Sequence, residues 1–575
     1  MKRALSRLYQ SAWGRVLLAG VLTALALLAF SQVQQITYLT NDDNAIAFTL
    51  AGYHTGAPSP YALFINCILG YAVSGLYTAL PGVAWWAVLQ MAAIYASCAA
   101  IGAVLLREGA RHEQPMLLPL ALYAAFLLLF GLQPFVELTY TVTAALLGAA
   151  GAALVLTAAG EARASKRVLL DTLGAVAVVL AFLYREETGY AALCFFAASC
   201  AFRAINAFLC GGERKRRALV RVLILFGAVM LLCFGALLFN KSMHTRVNGE
   251  AYETFFRYRE RFTDYPRLSY AENPALYASV GWDEPLYDLA DYWCFLDARI
   301  NADTLKTITD AKMQGPSLIE TVKAGVTVID EDVSLRLSAA FLLLVFTGAL
   351  YAKFKARSRR DGAFLILCAV LLGTALLCGF LCLRGRFLAR TFRVAAIPAA
   401  ALMSVLLLRL APPYAQKRDK AASALFAGMA VVLALASGLY TAKELRVNSP
   451  KYLLRDSSAV MAYVLAHPEN IYVRDTAVVS DIDAFTVYPE NKPVNLLSWG
   501  GCEMRSAEAE KQLIVNGVAA RDAELFRQEN VYAILRADST EEAVLLAYLK
   551  SARGATGLTR TDDITDEIGV YRVTY

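Results

Sequence analysis

The sequence predicts a polytopic α-helical membrane protein with a C-terminal α/β domain outside the membrane. Three observations carry that class. Of 575 residues, 58% are hydrophobic and 18% charged, against about 45–50% and about 25% in a soluble globular chain. The mean hydropathy is +0.47. The apolar residues gather in runs that each approach the ~20 needed to cross a bilayer, and two long polar stretches, 240–334 and 441–575, separate or follow them. This composition excludes a soluble enzyme and a disordered chain. The net charge of +7 does not point to nucleic acid, because the basic residues sit in short loops between apolar runs, where topology explains them. Cys98, Cys194, Cys200, Cys233, Cys368 and Cys378 lie inside apolar runs, and no CxxC or Cys/His cluster suggests a zinc site or a disulfide scaffold.

The runs fall at roughly 16–33, 61–80, 83–106, 116–132, 140–159, 168–184, 189–208, 218–239, 335–352, 362–383, 392–410 and 421–440. The first is long and lacks a small-residue cleavage site, so it is expected to stay as a signal anchor. Lys2, Arg3, Arg7 and Arg15 put the N-terminus in the cytoplasm. Basic clusters recur at Arg107/Arg111, Arg163/Lys166/Arg167, Arg214 to Arg217, Lys353 to Arg360 and Lys417 to Lys420. All of them face the cytoplasm only if 61–80 lies at the outer interface instead of crossing. Asn66, Gly70, Ser74 and Thr78 recur every four residues there, the polar stripe an interfacial helix presents. Pro81-Gly82 ends it, and Trp85/Trp86 are expected at the headgroup level of the next span. The prediction is about eleven spans, with the N-terminus inside. The 34–82 loop, the 240–334 loop and the 441–575 domain then lie outside.

In 441–575, Ser457 to Ala466 and Ala543 to Leu549 read as helices. Asn470 to Arg474, Pro493 to Leu497, Val531 to Leu535 and Gly569 to Thr574 read as short strands, an α/β alternation. No GxGxxG or P-loop is present, and Trp499-Gly500-Gly501 reads as a turn. The 240–334 loop shows helical pieces near Leu286 to Ala298 and Asn301 to Lys312.

Four constellations could carry chemistry. The first outer loop contains Thr40-Asn41-Asp42-Asp43-Asn44. Thr40 or Asn41 can cap a short helix whose first turn the acids favour. Asp42 shares a side with Ile46, Leu50 and Tyr53, and a carboxylate beside an apolar wall gains basicity for general base work. Local sequence leaves capping and catalysis equally open. The loop Arg384-Gly-Arg386-Phe-Leu-Ala-Arg390-Thr-Phe-Arg393 places arginines outside, against the positive-inside bias. A lipid phosphate or diphosphate is a reason for them; contact with ordinary anionic lipid or with acids of the 240–334 loop is another. Arg185, in the turn Tyr184-Arg185-Glu186-Glu187, can join that anion site. Glu137 and Tyr140 stand near the outer end of a span, where polar groups line cavities. With Tyr61, Glu187 and His54, the histidine closest to the acids, they complete the expected substrate cavity.

This order of one span, an acidic pair in the first outer loop, an interfacial helix, a many-span bundle and an extracytoplasmic domain resembles the GT-C superfamily of integral-membrane glycosyltransferases. The nearest look is to bacterial members related to protein O-mannosyltransferases and to the aminoarabinose transferases of lipid A. The motif that carries the resemblance is Asp42-Asp43. The chain departs from those families at Thr55-Gly56-Ala57-Pro58-Ser59-Pro60, which stands where they have Lys-Pro-Pro, and in its large 240–334 loop. The resemblance implies a GT-C-like module over 1–440, a polyprenyl-phosphate sugar donor, inverting transfer and a carboxylate base, with a divalent metal in some members only. On that reading the chain is a plasma-membrane glycosyltransferase. Asp42 or Asp43 is its catalytic base, and Arg384, Arg386, Arg390, Arg393 and Arg185 bind the donor phosphate. A cell-envelope glycan, lipid or protein is the acceptor. A transporter or flippase would instead carry ionisable residues at span centres, which are few here. A non-catalytic envelope-assembly protein would not need the arginine loop.

Overall fold

The fold comes from a computed structural model, which describes residues 8–575 other than 33, 211–212, 312–317, 356–361, 412–416, 448–450, 475–477, 479–482 and 520–521. Lys2, Arg3 and Arg7, and Arg357, Arg359 and Arg360, therefore lie outside the described residues.

Among the described residues, ten helices are long and apolar enough to cross a membrane. The expected span 116–132 differs. It forms Leu117–Phe130 and then the five-residue helix Leu132–Val136, each shorter than a span. At 1.5 Å per residue the first is only ~21 Å long. Two spans are 94% buried, Tyr140–Ala158 and Ala389–Leu410, against 50% or less for the other eight. They form the centre of the bundle. Tyr140–Ala158 can be enclosed because small residues let neighbours approach. A Cβ on Gly148 would stand 2.5 Å from the Ala192 methyl, and one on Gly151 would stand 2.6 Å from the Gly174 carbonyl oxygen.

The segment 61–80 contains a 13-residue helix, Cys67–Ala79, ~20 Å long and too short for a ~30 Å hydrocarbon core. Three members of its polar stripe, Asn66, Gly70 and Ser74, are buried against protein, and Thr78 is exposed. Asn66 donates to the Ala236 carbonyl at 2.9 Å, and Gly70 lies so close to Pro60 that a Cβ would meet its carbonyl oxygen at 2.0 Å. Asn66, Gly70 and Ser74 lie on the packing face, while Ile68 and Tyr71 are exposed. Trp86 is fully buried and stacks on Tyr184 at 5.5 Å. Trp85 donates to the Leu80 carbonyl at 3.0 Å.

The bundle has two distinct ends. One gathers the Arg107–Glu161 pair, Gln114 bonded to the Ala411 carbonyl, Arg409 bonded to the Leu156 carbonyl, and Gly362 bonded to Asn206. The other gathers Asn66 bonded to the Leu183 carbonyl, and β1 (Thr37–Tyr38) paired in parallel with β2 (Glu137–Leu138).

Above this second end the polar regions join. The 52-residue helix Glu213–Asp264 continues out of the bundle, broken only at Gly249 (φ 80°, ψ 160°). Phe255, Phe262, Trp282 and Phe295 then share one core with Val473, Leu497, Trp499 and Leu535. The 240–334 stretch and the C-terminal region thus bury their apolar faces against each other. The helix expected at Leu286 to Ala298 stops early, as Glu284–Asp291, because Trp293 turns into the left-handed region (φ 61°). Ala302–Asp310 forms behind an Asn301 capping box.

The C-terminal sheet runs β4 (Leu496–Ser498), β3 (Ile471–Arg474), β5 (Val531–Arg536), β7 (Ile568–Thr574), β6 (Gly557–Asp563). β3 is parallel to β4 and β5; β7 is antiparallel to β5 and β6. β6 was not expected from sequence. Its Thr559–Asp563 face solvent at the sheet edge, so no apolar alternation announces it.

Candidate active site at the mouth of the core helices

The acidic pair opens the helix Asn41–Ala51. Thr40 stands at its N-cap, but the Thr40 hydroxyl accepts from no amide of the helix and instead donates to Asp43 Oδ2 at 2.9 Å. Asp43 is fully buried. Its Oδ1 accepts from the Tyr140 backbone N–H at 3.0 Å and from Gln90 Nε2 at 3.1 Å, and Gln90 accepts in turn from the Thr143 hydroxyl. Asp43 thus caps the core helix Tyr140–Ala158 rather than its own. Burial pushes its carboxyl up to about 7, against the bonds from Tyr140, Thr40 and Gln90, which lower it.

Asp42, one residue earlier, turns the other way. Its side chain is 28% exposed, with Arg390 Nη1 at 3.8 Å from Oδ2 and the Tyr140 hydroxyl at 3.5 Å from the same oxygen. Arg185 donates to the Tyr140 hydroxyl and, at 3.1 Å, to Thr141 Oγ1. Its guanidinium lies 4.8 Å from the Tyr140 ring centroid, and its Nε is 3.3 Å from Glu187. Arg390 opens the helix Ala389–Leu410 and Tyr140 opens Tyr140–Ala158. The positive ends of both buried helices therefore point at this spot, which favours an anion.

A cavity lies on each side of the Asp42–Arg390 pair. The first, about 540 Å³, is rimmed by Arg185, Arg384, Arg386 and Arg390 with Glu187, Glu260 and Tyr265. Its walls are apolar side chains of Glu186–Cys210 and Ala363–Leu383, Phe195, Leu377 and Phe380 among them. The second, about 320 Å³, lies between the first loop and the C-terminal region and is lined by Asp42, His54, Phe64, Trp293, Glu503 and Glu508 among others. The C-terminal region is bonded to the first loop around it. Thr49 donates to Glu503 at 3.0 Å, Ser59 to Glu508 at 2.8 Å, and the Tyr488 amide to the Tyr53 hydroxyl at 3.0 Å.

The structure brings Asp42, Arg185, Arg390, Tyr140 and Glu187 together, with His54 3.9 Å from Glu503 in the second cavity. Arg386 reaches the rim, tied to Asp264 at 3.1 Å. Arg384 stands with its guanidinium 5.7 Å from the Tyr265 ring. Arg393 does not line either cavity. It is buried and donates to Gln133 at 2.6 Å and Ser334 at 3.3 Å. Glu137 accepts from the same Gln133 at 2.7 Å, so these two expected site residues form a separate polar knot. Tyr61 shares a hydrogen bond with Tyr71 at 2.7 Å, also apart from the cavities. Sequence reasoning missed Glu260, Tyr265, Trp293 and Glu503, which reach the site only through the long helix and the shared core. Their aromatic and acidic neighbours within 240–334 were visible, but no spacing ties them to the first loop.

The donor set does not fit a metal shared by the acidic pair. Both Asp43 oxygens already accept protein donors, and among the described residues no three His, Cys, Asp or Glu side chains converge.

No family model matches the chain. No curated protein matches it either. Among solved structures, the chain is similar to the crystal structure of ArnT from Cupriavidus metallidurans bound to undecaprenyl phosphate, at 13% identity and a TM-score of 0.40, covering 98% of each chain. It is similar as well to the apo state of the same protein, at 12% identity and a TM-score of 0.36, covering 97% of this chain and 98% of that one.

Proposed function

We propose that the chain is a membrane glycosyltransferase that moves a sugar from a polyprenyl-phosphate donor to a hydroxyl of a cell-envelope acceptor. The observation that carries this reading is Asp42, which lines the second cavity and stands 3.8 Å from Arg390, a residue lining the first. The apolar wall of the first cavity suits a prenyl chain, and its arginine rim suits a phosphate. The acceptor enters the second cavity. Asp42 takes the proton of its hydroxyl, whose oxygen forms the new bond to the anomeric carbon as the bond from that carbon to the phosphate oxygen breaks. The electron pair leaves with the phosphate, whose added charge meets Arg390, Arg185 and the two helix N-termini. Attack on the face of the anomeric carbon opposite the departing phosphate gives inversion.

The test is donor binding by the purified full chain, with undecaprenyl phosphate as probe. Arg390→Ala removes a charge-assisted contact of about 1.5–3 kcal/mol, so its Kd should rise roughly 10- to 100-fold. Arg390→Lys should recover part of the loss, lacking the fork. Equal affinity of Arg390→Ala and wild type overturns the donor assignment.

A further inference from the structure

Five non-glycine residues have positive φ among the described residues, and two of them, Phe64 (φ 68°) and Trp293 (φ 61°), line the one cavity that holds Asp42. Bulky side chains rarely adopt this backbone. They keep it where the surroundings over-determine it, as binding sites do. Both rings are set in place by the protein. The Trp293 carbonyl accepts from the Gly501 N–H at 3.1 Å, and Gly500 presses so close that a Cβ would stand 1.9 Å from that oxygen. The Arg259 guanidinium lies 5.5 Å from the indole centroid. Phe64 stacks on Tyr140 with centroids 6.3 Å apart, and Tyr140 itself reaches Asp42.

The charged lining is mainly acidic, although Glu508 is paired with Lys511 at 2.8 Å and Asp42 faces Arg390 at 3.8 Å. Asp42, Glu503 and Glu508 contribute carboxylates, against Arg474 as the one arginine or lysine among the described lining residues. Ionised carboxylates accept only, so they select hydroxyl or ammonium donors and repel anions. Fixed aromatic rings offer a negative face to the C–H side of a sugar ring. Resting on the glycosyltransferase reading above, the geometry points to a carbohydrate acceptor, neutral or amino-bearing, seated against Phe64 and Trp293 with one hydroxyl at Asp42. A lipid acceptor fits less well, because this cavity lies between the first loop and residues 498–512 and not on the outer faces of the spans. A uronic-acid glycan is disfavoured by charge.

The experiment measures binding of soluble probes to the full chain in detergent by ligand-observed NMR. The probes are a glucose trisaccharide, a glucosamine trisaccharide, a galacturonic acid trisaccharide and a serine-containing hexapeptide. The first two should bind, the third at least about tenfold more weakly, and the peptide not at all. Trp293→Leu should weaken sugar binding by at least about tenfold while Trp293→Phe retains most of it. If Trp293→Leu fails to fold, Glu503→Gln supplies the test, with glucosamine binding reduced more than glucose binding. Equal binding of the uronic trisaccharide, binding of the peptide alone, or sugar binding indifferent to both variants overturns the proposal. Undecaprenyl phosphate binding is measured on the same sample. Donor lipid bound without sugar removes the acceptor proposal and leaves the donor reading standing. Sugar bound without donor lipid does the reverse.

Discussion

Asp42 and Asp43 are neighbours whose side chains leave the helix about 100° apart, and that angle sends them to opposite environments. Asp42 should lose function without losing stability. Asp42→Asn removes basicity at constant size, so transfer should fall by on the order of 10²–10⁴, with the apparent Tm almost unmoved. Asp43→Ala should do the converse first: it leaves the Tyr140 N–H, Gln90 and Thr40 donors unpaired in the interior, at about 1–3 kcal/mol each where buried. Asp43 should also give stability a pH slope. Its folded carboxyl sits at about 7 against an ordinary 3.8. The stability it contributes is full below about pH 4 and is lost as pH rises through about 7. Wild type should therefore lose apparent Tm between pH 4 and 7, and Asp43→Asn should flatten that slope. Parallel curves for the two proteins would contradict the burial of Asp43. The pair itself was legible in sequence, as was the angle between its members. Which member caps was not, because the capped amide belongs to Tyr140, 97 residues away.

At the scale of elements, hydropathy located the spans because each long apolar run has one stable answer in a bilayer. It did not show that Asn66, Gly70 and Ser74 pack against protein, since such a stripe suits close packing as well as it suits headgroups. It also hid the 52-residue helix Glu213–Asp264, whose outer half is polar and reads as loop. That helix delivers Glu260 to the first cavity and Asp264 to Arg386, and its direction is set at Gly249. The backbone there (φ 80°, ψ 160°) is a glycine conformation, and a Cβ would meet nothing within 4 Å. Gly249→Ala therefore isolates backbone strain from packing, at about 1–3 kcal/mol. The expected outcome is a lower apparent Tm together with weakened undecaprenyl phosphate binding, as the outer half of the helix swings. Unchanged binding in a destabilised variant would show that the helix direction does not set the cavity rim.

For the whole molecule, the decisive quantity is where charge sits along the bundle axis. Arg107, Arg111, Arg163, Lys166 and Arg167 gather at one end with Arg409, and the site arginines Arg185, Arg384, Arg386 and Arg390 stand at the other. Short-loop basic residues mark the cytoplasmic side, so the first group should face the cytoplasm. The second group then stands outside, each member engaged by a carboxylate, an aromatic ring or the anion site instead of by topology. Membrane-impermeant maleimide on intact cells checks this, with the parent chain giving the background of native cysteines. Lys550→Cys, on an exposed position of Thr540–Arg553, should label; Ser165→Cys, exposed at the other end, should not until the cells are opened. The reversed pattern would leave the cavities and Asp42 as they are but turn the arginine rim toward the inner leaflet. The donor would then be drawn from the cytoplasmic side, and an acceptor in the outer envelope would be ruled out.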